Sequence, residues 1–116
     1  MPGKKRSEAS SPVETAPRGG VKPPWTFLTN HSHVLICLWR DPEARLRDVA
    51  DQVAITERAV QAIVADLEAG GMLTRIRQGR RNHYQIHEDV PLRHPVEANR
   101  NVAALLKMVG KDAADK

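Results

Sequence analysis

Two short apolar stripes at helical spacing, separated by two residues and followed by a glycine pair, most constrain what this chain can fold into. Leu46, Val49, Ala50 and Val53 recur three and four residues apart, which puts them on one face of a helix. Val60, Ile63, Val64 and Leu67 repeat the pattern, and Thr56 stands before them as an N-cap. Ala54-Ile55 leaves room only for a turn, with Ile55 placed to plug the corner between the helices. Gly70-Gly71 ends the second helix, because glycine takes the left-handed backbone of a C-cap. Met72–Arg77 and Asn82–Ile86 then alternate apolar and polar residues around Gln78-Gly79-Arg80-Arg81, which predicts a hairpin with glycine in its loop. The expected class is mainly α with a small β-hairpin.

Helix, turn, helix and basic hairpin is the order of parts in a winged helix-turn-helix. The segments RLRDVA (from Arg45), ITERAVQ (from Ile55) and GRRNHY (from Gly79) resemble winged-helix bacterial transcription regulators of the MarR and ArsR kind, most closely the small single-domain type. The resemblance implies a three-helix core, a β-wing and a C-terminal dimerisation helix. It also implies a homodimer that binds double-stranded DNA and regulates transcription. One position departs from the pattern. The turn residue usually held by glycine is Ala54, so a left-handed backbone there would carry strain.

A chain of 116 residues allows one small domain with tails. Trp25, Phe27, Trp39 and Tyr84 are its only aromatic residues of the Phe, Trp and Tyr type, so an aliphatic core is expected, thin unless a second subunit adds to it. The formal charge of +4 favours an acidic partner, and its distribution is more telling. From Ala69 to Ile86 the fixed charges are Arg75, Arg77, Arg80 and Arg81, with no Asp or Glu among them. The lone Cys37 excludes an intramolecular disulfide. No apolar run approaches the ~20 residues of a membrane span, and Lys4-Lys5-Arg6 is not followed by the apolar stretch of a signal peptide. A cytoplasmic location and no membrane partner are expected.

Residues 1–24, rich in Pro, Ser, Gly and Lys, read as a disordered basic tail that cannot bury enough surface to offset its ordering entropy. Residues 25–92 form the expected DNA-binding domain, 93–110 a C-terminal dimerisation helix and 111–116 a polar tail. Within the domain, Thr29 or Asn30 caps a helix from about His31 to Arg40, which Asp41-Pro42 closes. Its stripe is Val34, Leu35 and Leu38, while Ile36 and Trp39 fall on other faces and hint at a dimer contact. Residues 43–47 are expected to include a short strand beside the wing. His94-Pro95 reads as a helix start, with the helix running from about Val96 to Val109 and ending at Gly110. Ala98, Val102, Leu105, Leu106 and Val109 form its stripe. The dimer set expected is Trp39, Val102, Leu105, Leu106 and Val109.

With Thr56 as cap, the face of the second stripe-bearing helix opposite its core residues carries Glu57, Arg58, Gln61, Ala62 and Ala65. In this motif the second helix enters the major groove by its N-terminal turns. Arg58 can donate two hydrogen bonds to guanine and Gln61 can pair with adenine. The free amides at Thr56 suit a phosphate. Glu57 would repel phosphate, so it accepts from a cytosine amino group, orients Arg58, or merely faces solvent. At the hairpin tip Arg80 and Arg81 can reach the minor groove, whose negative potential attracts guanidinium. Arg75 and Arg77 share a strand face and can track the backbone.

Other chemistries find less support. His33 and Cys37 lie four apart on one helix, but a transition-metal site needs three or four ligands and no compact cluster supplies the rest. His83 and His87 stand some ~13 Å apart along a strand, too far to chelate together. Cys37 in an apolar stretch is ordinarily a small buried hydrophobe. No phosphate loop, nucleophile motif or paired carboxylates mark an enzyme, and neither metal nor cofactor is called for. A small-molecule effector would have to lodge at the dimer interface, near Trp39 and the terminal helix. The rival from another class is a winged-helix protein-interaction module that works in a larger assembly without DNA, against which the arginine-rich tip argues.

Overall fold

The computed structural model describes residues 23–111. The expected basic tail (1–24) lies outside them save for Pro23 and Pro24, and the polar tail (111–116) save for Lys111. Four helices and one antiparallel hairpin make up an α+β domain, in the order α1 (Asn30–Arg40), α2 (Leu46–Val53), α3 (Glu57–Ala69), β1 (Leu73–Gln78), β2 (Arg81–Ile86) and α4 (Val102–Val109). No helix of the described residues is long and apolar enough to cross a membrane.

The Thr29 hydroxyl accepts from the Ser32 amide at 3.2 Å and starts α1. Pro42 stops it, because the residue before a proline is pushed from the α region, and Asp41 adopts φ −138° and ψ 89°. Val34, Leu35, Ile36 and Leu38 are all buried in α1. The helix is apolar on more than one side because it packs on α2, α3 and β2 together. Ile36 therefore finds its cover within its own chain, which removes the hint of a dimer contact drawn from its position.

Helix α2 buries Val49 and Ala50 and ends on Ala54, at φ 68° and ψ 45°. This is the one non-glycine residue with positive φ among those described. The Ala54 and Ile55 amides both donate to the Ala50 carbonyl, at 2.8 and 3.1 Å, so the helix end is satisfied although alanine is disfavoured there. The Thr56 hydroxyl accepts from the Ala59 amide at 3.0 Å and opens α3. At its far end the Met72 amide donates to the Leu67 carbonyl and the Gly71 amide to the Glu68 carbonyl, with Gly71 at φ 80°. That pair of bonds is a Schellman closure, which requires the left-handed residue.

The hairpin pairs Leu73 with Ile86 at its base and Gln78 with Arg81 at its tip. The loop is only Gly79-Arg80, and Gly79 has the positive φ (62°) that the first position of a type II′ turn demands. The expected strand at 43–47 is not formed. Pro42 lends β2 its carbonyl, which accepts from the Tyr84 amide at 2.8 Å. Having no N–H, it cannot return a bond, and the Ala44 amide turns back to the Asp41 carbonyl at 3.0 Å.

Helix α4 also differs from expectation. It begins at Val102, not near Val96. The Asn101 side chain accepts from the Ala104 amide at 3.1 Å and fixes the start there. Before it, the chain doubles back. The Leu92 amide donates to the Arg100 carbonyl and the Val102 amide to the Val90 carbonyl, and Pro91 and Asn101 form a bridge. His94-Pro95 starts a turn, closed by the Glu97 amide on the His94 carbonyl, and Val96 and Ala98 are exposed. The proline signal was real but local, and the better cap lies seven residues beyond His94.

The core gathers Val34, Leu35, Leu38, Val49, Val60, Val64, Leu73, Tyr84, Val102 and Leu106, among others, each nearly or wholly inaccessible. Val102 and Leu106 are each 1% exposed, so α4 buries its main stripe against its own chain. These two residues are therefore not available to a twin, contrary to expectation.

Candidate nucleic-acid interface

Helix α3 divides cleanly. Val60, Ile63, Val64 and Leu67 face the core, while Glu57, Arg58, Gln61, Ala62 and Ala65 are exposed. The division follows from the 3.6-residue period, which places the last five on the side opposite the buried stripe. Thr56 spends its oxygen lone pair on the Ala59 amide, which leaves the hydroxyl proton free to donate. No carboxylate lies within ion-pair distance of Arg58 among the described residues.

On the hairpin, Leu73, Arg75 and Arg77 share a face with Ile86, Tyr84 and Asn82, as the register dictates. Leu73 and Tyr84 are buried, so the base of this face turns onto the helices. Arg75 follows it. Its Nη2 donates to Glu68 Oε1 at 3.1 Å, on the last turn of α3. The basic stretch is thus partly compensated by an acid from just outside it. Arg77 Nε donates to the Gly79 carbonyl at 2.9 Å and stiffens the turn. Arg81 Nη1 donates to the Glu43 carbonyl at 3.2 Å. These carbonyl bonds leave the charges of Arg77 and Arg81 uncompensated and most of their donors free. Arg80 occupies the second turn position and is exposed. The four arginines are therefore not equivalent: Arg75 braces, Arg77 and Arg81 are held by backbone, and Arg80 projects.

Two acids shape this surface that the sequence did not single out, Glu68 and Glu43. Glu43 Oε2 lies 3.6 Å from His83 Nδ1, a buried ring nitrogen without a hydrogen-bond partner. Glu68 is seven residues from Arg75, a spacing without meaning until the Schellman turn folds one over the other. The strand expected over 43–47 would have set Glu43 beside the hairpin, but nothing in the sequence pairs its carboxylate with His83.

Elsewhere, burial pushes the Cys37 thiol up, partly opposed by the Arg40 charge, and Sγ donates to Gln52 Oε1 at 3.3 Å. Burial also holds the His33 imidazole below its ordinary value. Among the described residues no three His, Cys, Asp or Glu side chains are grouped so as to hold a metal ion.

Of the residues expected to join two subunits, Leu105 and Val109 are half-buried. Trp39 is committed within the chain, since its Nε1 donates to Glu88 Oε2 at 3.3 Å and Lys111 Nζ lies 4.9 Å from its ring centre. Met108, on the outer side of α4, is 68% exposed. No protein-family model and no curated protein sequence matches this chain.

Proposed function

We infer that this chain is a winged helix-turn-helix protein that binds duplex DNA as a homodimer and regulates transcription. The observation that carries the reading is the outer face of α3. Arg58 and Gln61 stand exposed on its first turns, side by side with Glu57, and the core residues fix that helix from behind. In this reading α3 enters the major groove, where Arg58 reads guanine and Gln61 adenine. The hairpin supports it as the wing. Arg77, Arg80 and Arg81 have no carboxylate within ion-pair distance among the described residues, so phosphate is their natural partner. Two copies would present two α3 helices to successive major grooves of a roughly palindromic site. The outer edge of α4, where Met108 is exposed, offers an apolar surface for such a pairing.

The test is retention of fragmented genomic DNA by the purified chain at two salt concentrations, with sequencing of what is kept. A palindromic motif, held more weakly as salt rises, is expected. Salt-sensitive retention without a motif would leave a sequence-independent binder. Absence of retention at low salt would overturn the reading in favour of a protein-docking module.

A further inference from the structure

A cleft of about 470 Å³ opens between the start of α1, the end of α3 and the 92–97 segment. It does not touch the exposed face of α3 that carries Arg58 and Gln61. Its size falls in the range of about 300–1,000 Å³ usual for small-molecule sites. Leu35, Leu67, Met72 and Val102, all buried, meet in its floor, and Leu105 lines one wall.

The rim is charged, and by both signs. His31 Nε2 and Asp66 Oδ2 meet at 2.9 Å across the opening, from α1 and α3. That contact engages one oxygen of Asp66. The Glu97 carboxylate stands on the opposite loop and accepts from the His94 amide at 3.4 Å. Arg93 lies across the end of α3, with no carboxylate in ion-pair distance among the described residues. Gly70 has φ −82°, which any residue adopts, but a Cβ there would come to 3.1 Å from Arg93 Nη1 and 3.3 Å from the Asp66 carbonyl. The guanidinium thus rests against the backbone at the end of α3, and its flexible end could yield a few tenths of an ångström to a side chain there.

An apolar floor selects an apolar body. A rim with a free guanidinium and two carboxylates selects a head that carries both charges, because an anion alone would face Asp66 and Glu97 and a cation alone would face Arg93. We propose that this cleft binds an apolar α-amino acid as its zwitterion, with the carboxylate on Arg93, the ammonium between Asp66 and Glu97, and the side chain on the Leu35–Leu67–Val102 floor. The site stands independently of DNA binding. An occupant would nevertheless touch α3 at the end opposite Arg58.

The experiment titrates the isotope-labelled full chain and follows the methyl signals of Leu35, Leu67 and Leu105 and the Gly70 amide. The probes are L-leucine, L-methionine and L-phenylalanine, each beside its analogues lacking the ammonium or the carboxylate (isocaproate and isoamylamine for leucine). At least one amino acid should give saturable shifts at these residues, with both of its analogues about twofold to fivefold weaker, as loss of a solvent-exposed charged contact entails. Arg93→Gln should weaken the amino acid by a similar factor and leave the amine analogue no weaker, since the charge it would face is removed. Leu105→Trp should fill the cleft and abolish binding while the remaining spectrum keeps its dispersion. Absence of saturable shifts with all three amino acids overturns the proposal. So does an ammonium-free analogue that binds as tightly as its parent, which would make the cleft a site for simple organic anions.

Discussion

Arg75 Nη2 donates to Glu68 Oε1 at 3.1 Å, which ties the first strand of the hairpin to the last turn of α3. Both side chains are more than a third exposed (37% and 41%), so the pair contributes under about 1 kcal/mol to stability. In the proposed DNA complex its electrostatic role would exceed its structural one. Glu68→Gln should leave the midpoint of urea unfolding nearly unchanged. It should tighten binding to random duplex DNA about twofold to fivefold at low salt, because one negative charge is removed from beside the phosphates. Fluorescence anisotropy at two salt concentrations reads this directly. An unchanged affinity would place Glu68 away from the DNA.

Arg58 and the tip arginines should fail differently. Arg58→Ala should cost about 1–3 kcal/mol on the preferred sequence and little on random DNA. Arg80→Ala should weaken both alike and reduce the salt slope by about one. Competition titrations with specific and random duplexes separate the two. Equal losses for both variants on both duplexes would overturn the proposed division of labour between α3 and the hairpin.

Ala54 offers a stability gain. Its left-handed backbone (φ 68°) costs an alanine about 1–2 kcal/mol, and glycine returns part of that through its freer unfolded chain. Ala54→Gly should therefore stabilise the fold by about 0.5–1 kcal/mol, seen as a higher urea midpoint at unchanged slope. A lower midpoint would mean that the turn does not hold this conformation in solution.

Much of this architecture was legible because it is periodic. The stripes of α2 and α3, the Thr56 cap and the glycine pair each speak through local spacing, and the structure places all of them within a residue or two. What was misread depends on contacts distant in sequence. The start of α4 is decided by Asn101 and by the Val90–Leu92 segment lying against Arg100–Val102, which outweigh a proline at position 95. The strand at 43–47 fails because Pro42 can accept but not donate. The outer face of α3 could be read from the helical period, but the unlike surroundings of the four hairpin arginines could not. They are set by Glu68, the Gly79 carbonyl and the Glu43 carbonyl, whose positions emerge only after folding.

His33 predicts a pH effect. Burial holds its folded pKa below the ordinary 6.5, so between the two values the unfolded chain binds more protons than the folded one. The contribution is fully present above pH 6.5 and is lost as the pH falls toward the lowered value. Acid should thus destabilise the wild-type chain in that window more than His33→Gln. Thermal unfolding of both proteins across a series of buffers tests this, and parallel pH profiles would refute it.

Leu106 and Met108, two residues apart on α4, should report opposite things. Leu106 is 1% exposed and Met108 is 68% exposed. Leu106→Ala should cost about 2–5 kcal/mol of stability at any protein concentration. Met108→Glu should leave the folded monomer intact and shift sedimentation toward single copies if this edge joins two chains. An unchanged oligomeric state would move the pairing surface elsewhere.

The bond from the Tyr84 amide to the Pro42 carbonyl has a consequence for solubility. A two-stranded hairpin has two open margins, and each could recruit a strand from another molecule. Along β2 that margin is blocked at its middle by a proline-bearing segment, which accepts one bond and offers none in return, and the Arg81–Glu43 contact lengthens the block. Along β1 the deterrent is the charge of Arg75 and Arg77. Arg77, proposed above to meet phosphate, would thus also help keep the protein from stacking into sheets when no nucleic acid is present.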